Sequence, residues 1–290
     1  MTEQLVPAPL PQAPLPDAPL APSAVPEAAP PAGPPAAPRD RRALRAVVRW
    51  GAAVVLCAGL GTGAAAWVTS QDRGDVPGLA TASDGRWDYP ELKLPALHSG
   101  EPRPGNKANE AGRHYADPRD LLLPAPDGAR ADKDLPGGLV PEKRFLAEYP
   151  AEARGRLGTA LKDYAVRQVV ARGWTMPDGT HSRVYLLRFD SAGLAGGFVE
   201  ARLGAASTPG QEPVGSDYSD MDEGWSLPDG WDLTGDFHVY AETKPYGKKR
   251  VRHAYAQCGD TVALVIQDRA GGLPAVPFHQ TLILQTQLLQ

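Results

Sequence analysis

The chain has 290 residues, with 31 Pro, 31 Gly, two Cys and a formal net charge of −4. So slight an acidic balance argues against a nucleic-acid partner, whose binding domain would normally be basic, and two cysteines rule out a disulfide framework. Arg outnumbers Lys 22 to 8 and there are only two Ile and two Asn, a bias that points to a GC-rich bacterial genome and leaves the fold open.

Residues 1–38 hold 13 Pro and 10 Ala in a degenerate repeat (APLPQ, APLPD, APLAP) with no aromatic residue. Such a segment buries too little apolar surface to offset its ordering entropy, so a disordered tail with local polyproline II is expected. The spacings Pro11–Pro14 and Pro16–Pro19 match PxxP, as Pro/Ala repeats do by chance. Residues 39–49 (RDRRALRAVVR) are strongly basic, with Arg41, Arg42, Arg45 and Arg49 leading into an uncharged run.

That run, Trp50 to Gln71, is 22 residues long and ends at Asp72. A helix of this length covers roughly 33 Å, enough for a hydrocarbon core. Trp50 and Trp67 stand where interfacial aromatics belong, and the arginines before it predict a cytoplasmic N-terminus and an extracytoplasmic remainder. Cleavage at Ala64–Ala66 is the competing reading, against which the long preceding tail weighs. A lipid anchor at Cys57 fits poorly, because Leu56 occupies a small-residue position. Gly59 and Gly63 form a GxxxG pair suited to a homodimer of helices.

From residue 72 to 116 the chain is polar and rich in Gly and Pro, and reads as a linker. The expected folded domain is 117–290, of α+β class: antiparallel strands in two hairpin-plus-helix units, covered by helices. Leu121–Leu123 reads as an apolar plug. Helical pieces are expected at 142–149 and 151–164, separated by Pro150. Strands are expected at 165–174 and 182–189 around the turn Pro177-Asp178-Gly179, then a weak helix capped by Ser191 and running to Leu203. A strand is expected at 237–243. Val251–Cys258 and Thr261–Asp268 flank Gly259-Asp260 and predict a hairpin pairing Tyr255 with Leu264, His253 with Ile266 and Gln257 with Val262. Pro277 is expected to open a final helix with Phe278, Leu282, Ile283 and Leu289 inside and Gln outside.

No catalytic motif meets its own spacing: there is no G-x-S-x-G, no phosphate loop and no H-E-x-x-H. The six His are scattered, and His253 reads as a hydrogen-bonded core or rim residue. Cys258 reads as a small strand residue. Asp217, Asp220, Asp222 and Glu223 are weak candidates for a Ca²⁺ loop that lacks the EF-hand spacing. Lys248, Lys249, Arg250 and Arg252 are candidates for contact with an anionic envelope polymer or headgroup, or for blunting a strand edge. Trp225, Trp231, Tyr218 and Tyr240 are candidate pocket aromatics.

The strings RDLLLPAPDGA, ARGWTMPDGT and YAETKPYG, following a Pro/Ala tail and one span, resemble those of actinomycete single-pass membrane proteins. The resemblance covers about 117–290, implies the same topology and brings no catalytic residues with it. The expected protein is a membrane-anchored envelope component, facing the bilayer and an envelope protein or polymer. Its external domain binds a ligand or partner and uses no cofactor. The alternative is an envelope hydrolase with an unrecognised site.

Overall fold

The computed structural model describes residues 48–52, 83–203, 207–227 and 235–290. The chain divides into two compact units, Met1–Val76 and Pro77–Gln290. In the first, residues 48–52 are helical and exposed. The rest of the expected span, its GxxxG pair Gly59 and Gly63, the Pro/Ala tail and Arg41, Arg42 and Arg45 lie outside the described residues. Among the described residues no helix is long and apolar enough to cross a membrane.

The second unit is an α+β domain built on one seven-stranded antiparallel sheet. Its strands are β1 (Arg130–Leu139), β2 (Gln168–Thr175), β3 (His181–Arg188), β4 (Ser219–Met221), β5 (Asp236–Glu242), β6 (Lys249–Cys258) and β7 (Thr261–Ala270), in the spatial order β1-β2-β3-β7-β6-β5-β4. The β6–β7 register is the expected one, with Tyr255 opposite Leu264, His253 opposite Ile266 and Gln257 opposite Val262. Gly259 adopts φ +52°, the left-handed conformation that a two-residue turn demands.

Helices α1 (Glu142–Leu146), α2 (Ala151–Asp163) and α3 (Ala192–Phe198) cover the face that carries Tyr185, Leu187, Tyr255, Leu264 and Ile266. Pro150 separates α1 from α2 by removing the amide that a continuous helix needs. Ser191 caps α3 by accepting the Leu194 amide, and the helix runs on as a π-helical turn, Val199–Leu203. Phe145, Tyr149 and Tyr185 meet edge-on at the centre of this layer.

The other face is covered as well. Its small side chains, Ala254, Ala256, Ala263 and Val265, admit helix α4 (Ala275–Leu288), with Phe278 and Leu282 buried against them. The helix begins two residues before Pro277, whose missing amide is harmless in a first turn. The expectation of an outward-facing Gln surface fails at Gln285, which is buried. Its Oε1 accepts the Leu123 amide at 2.9 Å and its Nε2 donates to the Leu121 carbonyl at 2.8 Å. Arg172 donates to the Leu122 and Leu123 carbonyls from β2. The plug Leu121–Leu123 is therefore a buried non-regular segment whose backbone is paired by side chains, as burial requires. Thr281 and Thr286 are buried too, and each bonds back to a carbonyl four residues earlier.

Three expectations change. Residues 83–116, read as linker, form neither helix nor strand, yet Trp87, Tyr89 and Leu92 pack on the α4 face. Trp87 and Gln280 exchange two hydrogen bonds of 2.8 Å, so α4 holds this segment much as a strand partner would. Strand β1 lies where the sequence predicts no strand, since an edge position needs no apolar alternation; Pro136 and a broken register mark it as a blunted edge. The two hairpins meet through β3 and β7. Their helices, α3 and α4, lie on opposite faces, so the two hairpin-plus-helix units cover the sheet from both sides.

Gln285→Ala is expected to cost about 1–3 kcal/mol by stranding two buried backbone groups. Half-exposed Gln287→Ala is expected to stay within about 0.5 kcal/mol. Urea denaturation measures both, and equal losses would contradict the role given to Gln285.

Candidate functional site

A cleft of about 400 Å³ opens at the β6–β7 turn, lined among others by Gly105, Glu110, Ala192, Asp236, Gln257 and Gly259. One wall is the loop 102–113, which has no regular structure and is held by one side chain. Asn109 Nδ2 donates to the carbonyls of Pro102, Arg103 and Arg113, while its Oδ1 accepts the Arg113 amide at 3.0 Å. This knot lets a Gly/Pro-rich segment keep a shape without a ladder. The second wall is the hairpin turn. Asp260 donates its amide to the Gly112 carbonyl at 2.8 Å, and Gln257 Nε2 donates to the carbonyls of Ala192 and Gly259. A methyl group on Gly259 would overlap the Gly112 carbonyl oxygen, so the two glycines set how closely the loop and turn approach.

Beside the cleft lies a buried polar joint. His114 Nδ1 stands 2.6 Å from Asp260 Oδ1, its Nε2 donates to the Leu289 carbonyl at 2.8 Å, and its amide donates to Asp260 Oδ2 at 3.2 Å. A carbonyl only accepts, so Nε2 is the donor to Leu289. Thr261 Oγ1 donates to Asp260 Oδ1 at 2.9 Å. One side chain thus ties the loop, the hairpin turn and the end of α4. Cys258 lines the cleft but is only 3% exposed, and burial pushes its thiol up to about 12. The protonated thiol is a poor nucleophile at neutral pH.

The residues singled out from sequence fall elsewhere. Asp217 is exposed and Asp220 half-buried on β4, while Asp222 turns inward to bond His279 Nε2 at 2.8 Å and to pair with Arg252. Among the described residues no group of three or more His, Cys, Asp or Glu is placed to hold a metal ion, so the three aspartates do not converge. Two of the four charges in the basic run meet carboxylates. Lys249 pairs with Asp268, Arg250 donates to the Glu242 carbonyl and Arg252 pairs with Asp222, leaving Lys248 exposed. The reason is that β6 starts at Lys249, so these side chains meet neighbouring strands and loops where a free turn was expected. Tyr240 lies in the helix-side core and Tyr218 is exposed. Trp225 packs on Phe237 and His279 at the opposite face, and Trp231 lies outside the described residues. His253 is fully buried, stacks on Tyr240 at 5.1 Å, and neither ring nitrogen has a hydrogen-bond partner. Burial pushes it down to about 3, so it is a neutral core ring.

Two polar groupings that the sequence reading missed lie on the helix side of the sheet. Arg183, nearly buried, pairs with Glu148 at 2.9 Å and Asp268 at 2.7 Å, and Tyr185 donates to Glu148 at 2.6 Å. Burial pushes the Asp268 carboxyl up, but His181, Arg183 and Lys249 together outweigh it and hold it well below the usual range. Near β4, Glu212 accepts the Ser219 amide and both the Ser216 and Ser219 hydroxyls. Glu242 is buried beside them; one oxygen accepts the Val251 amide and the other has no partner. Burial, helped by Glu212, raises its carboxyl above the usual value against the Val251 amide, Arg250 and Ser216. No motif spacing in the sequence signals either grouping, because each joins residues from three or more separate segments.

No family model and no curated protein sequence matches the chain.

Gly259→Ala is expected to lower stability by more than about 1 kcal/mol, since it meets both a positive φ and an occupied space. Thermal unfolding reads this, with Gly179→Ala as the comparison that has positive φ but open surroundings. Glu242 supplies a pH test. Its raised carboxyl favours the fold below the unfolded-state value of 4.5, and that contribution disappears as pH rises through the folded value. The midpoint of wild-type unfolding should therefore fall relative to Glu242→Gln as pH rises above 4.5; parallel curves would refute the shift.

Proposed function

We propose that the protein is a single-pass component of a cell envelope that tethers an extracytoplasmic binding domain, with the cleft at the β6–β7 turn as its binding site. The observation that carries the proposal is the uncharged run Trp50–Gln71, bounded on one side by Arg41, Arg42, Arg45 and Arg49 and on the other by Asp72. In sequence, the run is followed by the compact unit Pro77–Gln290. A cleft of about 400 Å³ is in the range that small-molecule sites occupy. Its lining supports binding: carboxylates, a primary amide and glycine backbone, with its single thiol held protonated by burial.

The reading is tested on intact cells. Protease added outside should remove an epitope placed within 117–290 and spare one placed within 1–38. The reverse pattern would overturn the orientation, and survival of both in a soluble fraction would overturn the anchor.

A further inference from the structure

Away from the cleft, His181 opens β3 with three charged side chains within reach of its half-buried ring. Arg183 Nη1 donates to His181 Nδ1 at 2.6 Å, and His181 Nε2 faces Asp132 Oδ2 of β1 at 3.3 Å. A guanidinium only donates and a carboxylate only accepts, so both neighbours call for one neutral tautomer, with its proton on Nε2. Asp268 Oδ2 of β7 stands 3.6 Å from Nδ1. Asp132 reaches His181 over β2, the strand between them, because Gly173 has no side chain: a Cβ there would stand 3.0 Å from Asp132 Cβ. The reach matters because β1 is poorly laddered at this point. Ala131 pairs with Trp174 and Pro136 with Arg172, so residues 132–135 bulge out of regular pairing. Buried Leu135, the Arg144–Asp134 ion pair and the Asp132–His181 bond fasten that stretch.

Charged groups approach this ring from each element around it. β1 brings Asp132, with Arg130 exposed at its start; α1 brings Arg144, which is paired with Asp134, and Glu148 follows α1. β7 brings Asp268 and β6 brings Lys249, while β2 places only Gly173 and Thr175 in register with Arg183 and His181. Arg183 keeps Glu148 at 2.9 Å and Asp268 at 2.7 Å without any help from His181. Three carboxylates, Asp132, Glu148 and Asp268, thus meet two cations, Arg183 and Lys249, and a charge on His181 completes the balance.

We propose that His181 is an acid-engaged latch for the β1 bulge: on protonation its ring gives up the Arg183 bond and bridges Asp132 of β1 and Asp268 of β7. One proton passes from solvent to Nδ1, and Arg183 loses one hydrogen bond of three. The Asp132 contact changes from a neutral hydrogen bond to a charge-assisted one, which is the stronger kind. Histidine ordinarily titrates within about pH 5 to 8, where aspartate and glutamate are ionised. The edge strand is therefore held more tightly in mild acid than at neutral pH, independently of what the cleft binds.

The test is amide hydrogen exchange of the full chain in detergent at about pH 5.5 and about pH 7.5, with rates corrected for intrinsic exchange. Peptides covering 131–136 are read against peptides from β6 and β7, which removes the global pH dependence that Glu242 brings. Relative protection of the β1 peptides should be about threefold higher in acid, the scale of a partly exposed ion pair. His181→Gln and Asp132→Asn should each abolish that difference, while His98→Gln, on an exposed histidine, should keep it. Protection that is flat or falls in acid overturns the latch, as does a pH difference that survives His181→Gln. Should a variant fail to fold, ring ¹⁵N shifts of histidine-labelled wild type decide the matter. They should show a neutral His181 with its proton on Nε2 at about pH 7.5 and a doubly protonated ring at about pH 5.5. The opposite tautomer, or a ring that stays neutral in acid, overturns the proposal.

Discussion

Strands β6 and β7 carry buried side chains on both of their faces, and this requires the sheet to be covered twice. Burial of apolar area is the main favourable contribution to such a fold, worth about 1.5–3 kcal/mol for each large side chain fully removed from water. Three short helices satisfy one face. The other is satisfied by α4, the plug Leu121–Leu123 and the irregular segment containing Trp87 and Tyr89. The asymmetry follows from side-chain size. The bulky face, with Tyr255 and Leu264, meets helices that interleave with it, whereas alanines on the reverse face let a single helix come close.

Covering a sheet with non-regular chain creates a second requirement, since every buried amide and carbonyl in that chain needs a partner. The molecule meets it with a few side chains that act as surrogate backbone: Gln285 and Arg172 for the plug, Gln280 for Trp87, Asn109 for the loop 102–113. The same device builds the cleft. Asn109 shapes one wall, Gln257 and the glycine turn shape the other, and the His114–Asp260–Leu289 joint fixes both to the end of α4. The candidate site is thus a by-product of how the segment before β1 is fastened to the sheet, with Glu110 supplied by that segment and Asp236 and Gln257 by β5 and β6.

The charged groups divide into two kinds. Those at the helix-side end of the sheet are matched in pairs and hold strands to the α1–α2 corner through Glu148, Arg183 and Asp268. Glu110 and Asp236 at the cleft stand apart from that network. Glu242 differs again: it is a carboxyl kept buried and shifted toward its neutral form, which links the stability of the β4–β5 edge to pH.

Much of the fold was legible along the chain because it rests on local patterns. Alternation and a two-residue glycine turn specify the β6–β7 hairpin down to its register. Pro150 and Ser191 mark helix boundaries by their backbone and capping chemistry. Other features were decided only in three dimensions. β1 and β4 lack alternation and become strands because a neighbour is there to pair with. Gln285 looks like a surface residue in sequence and becomes a buried clamp because α4 is enclosed. Lys249, Arg250 and Arg252 form a basic run in one dimension, and cross-strand partners cancel most of it in three. The cleft was illegible for the same reason. Glu110, Asp236 and Gln257 are spread over three distant segments, and only the closure of the 102–113 loop onto the hairpin turn brings them together.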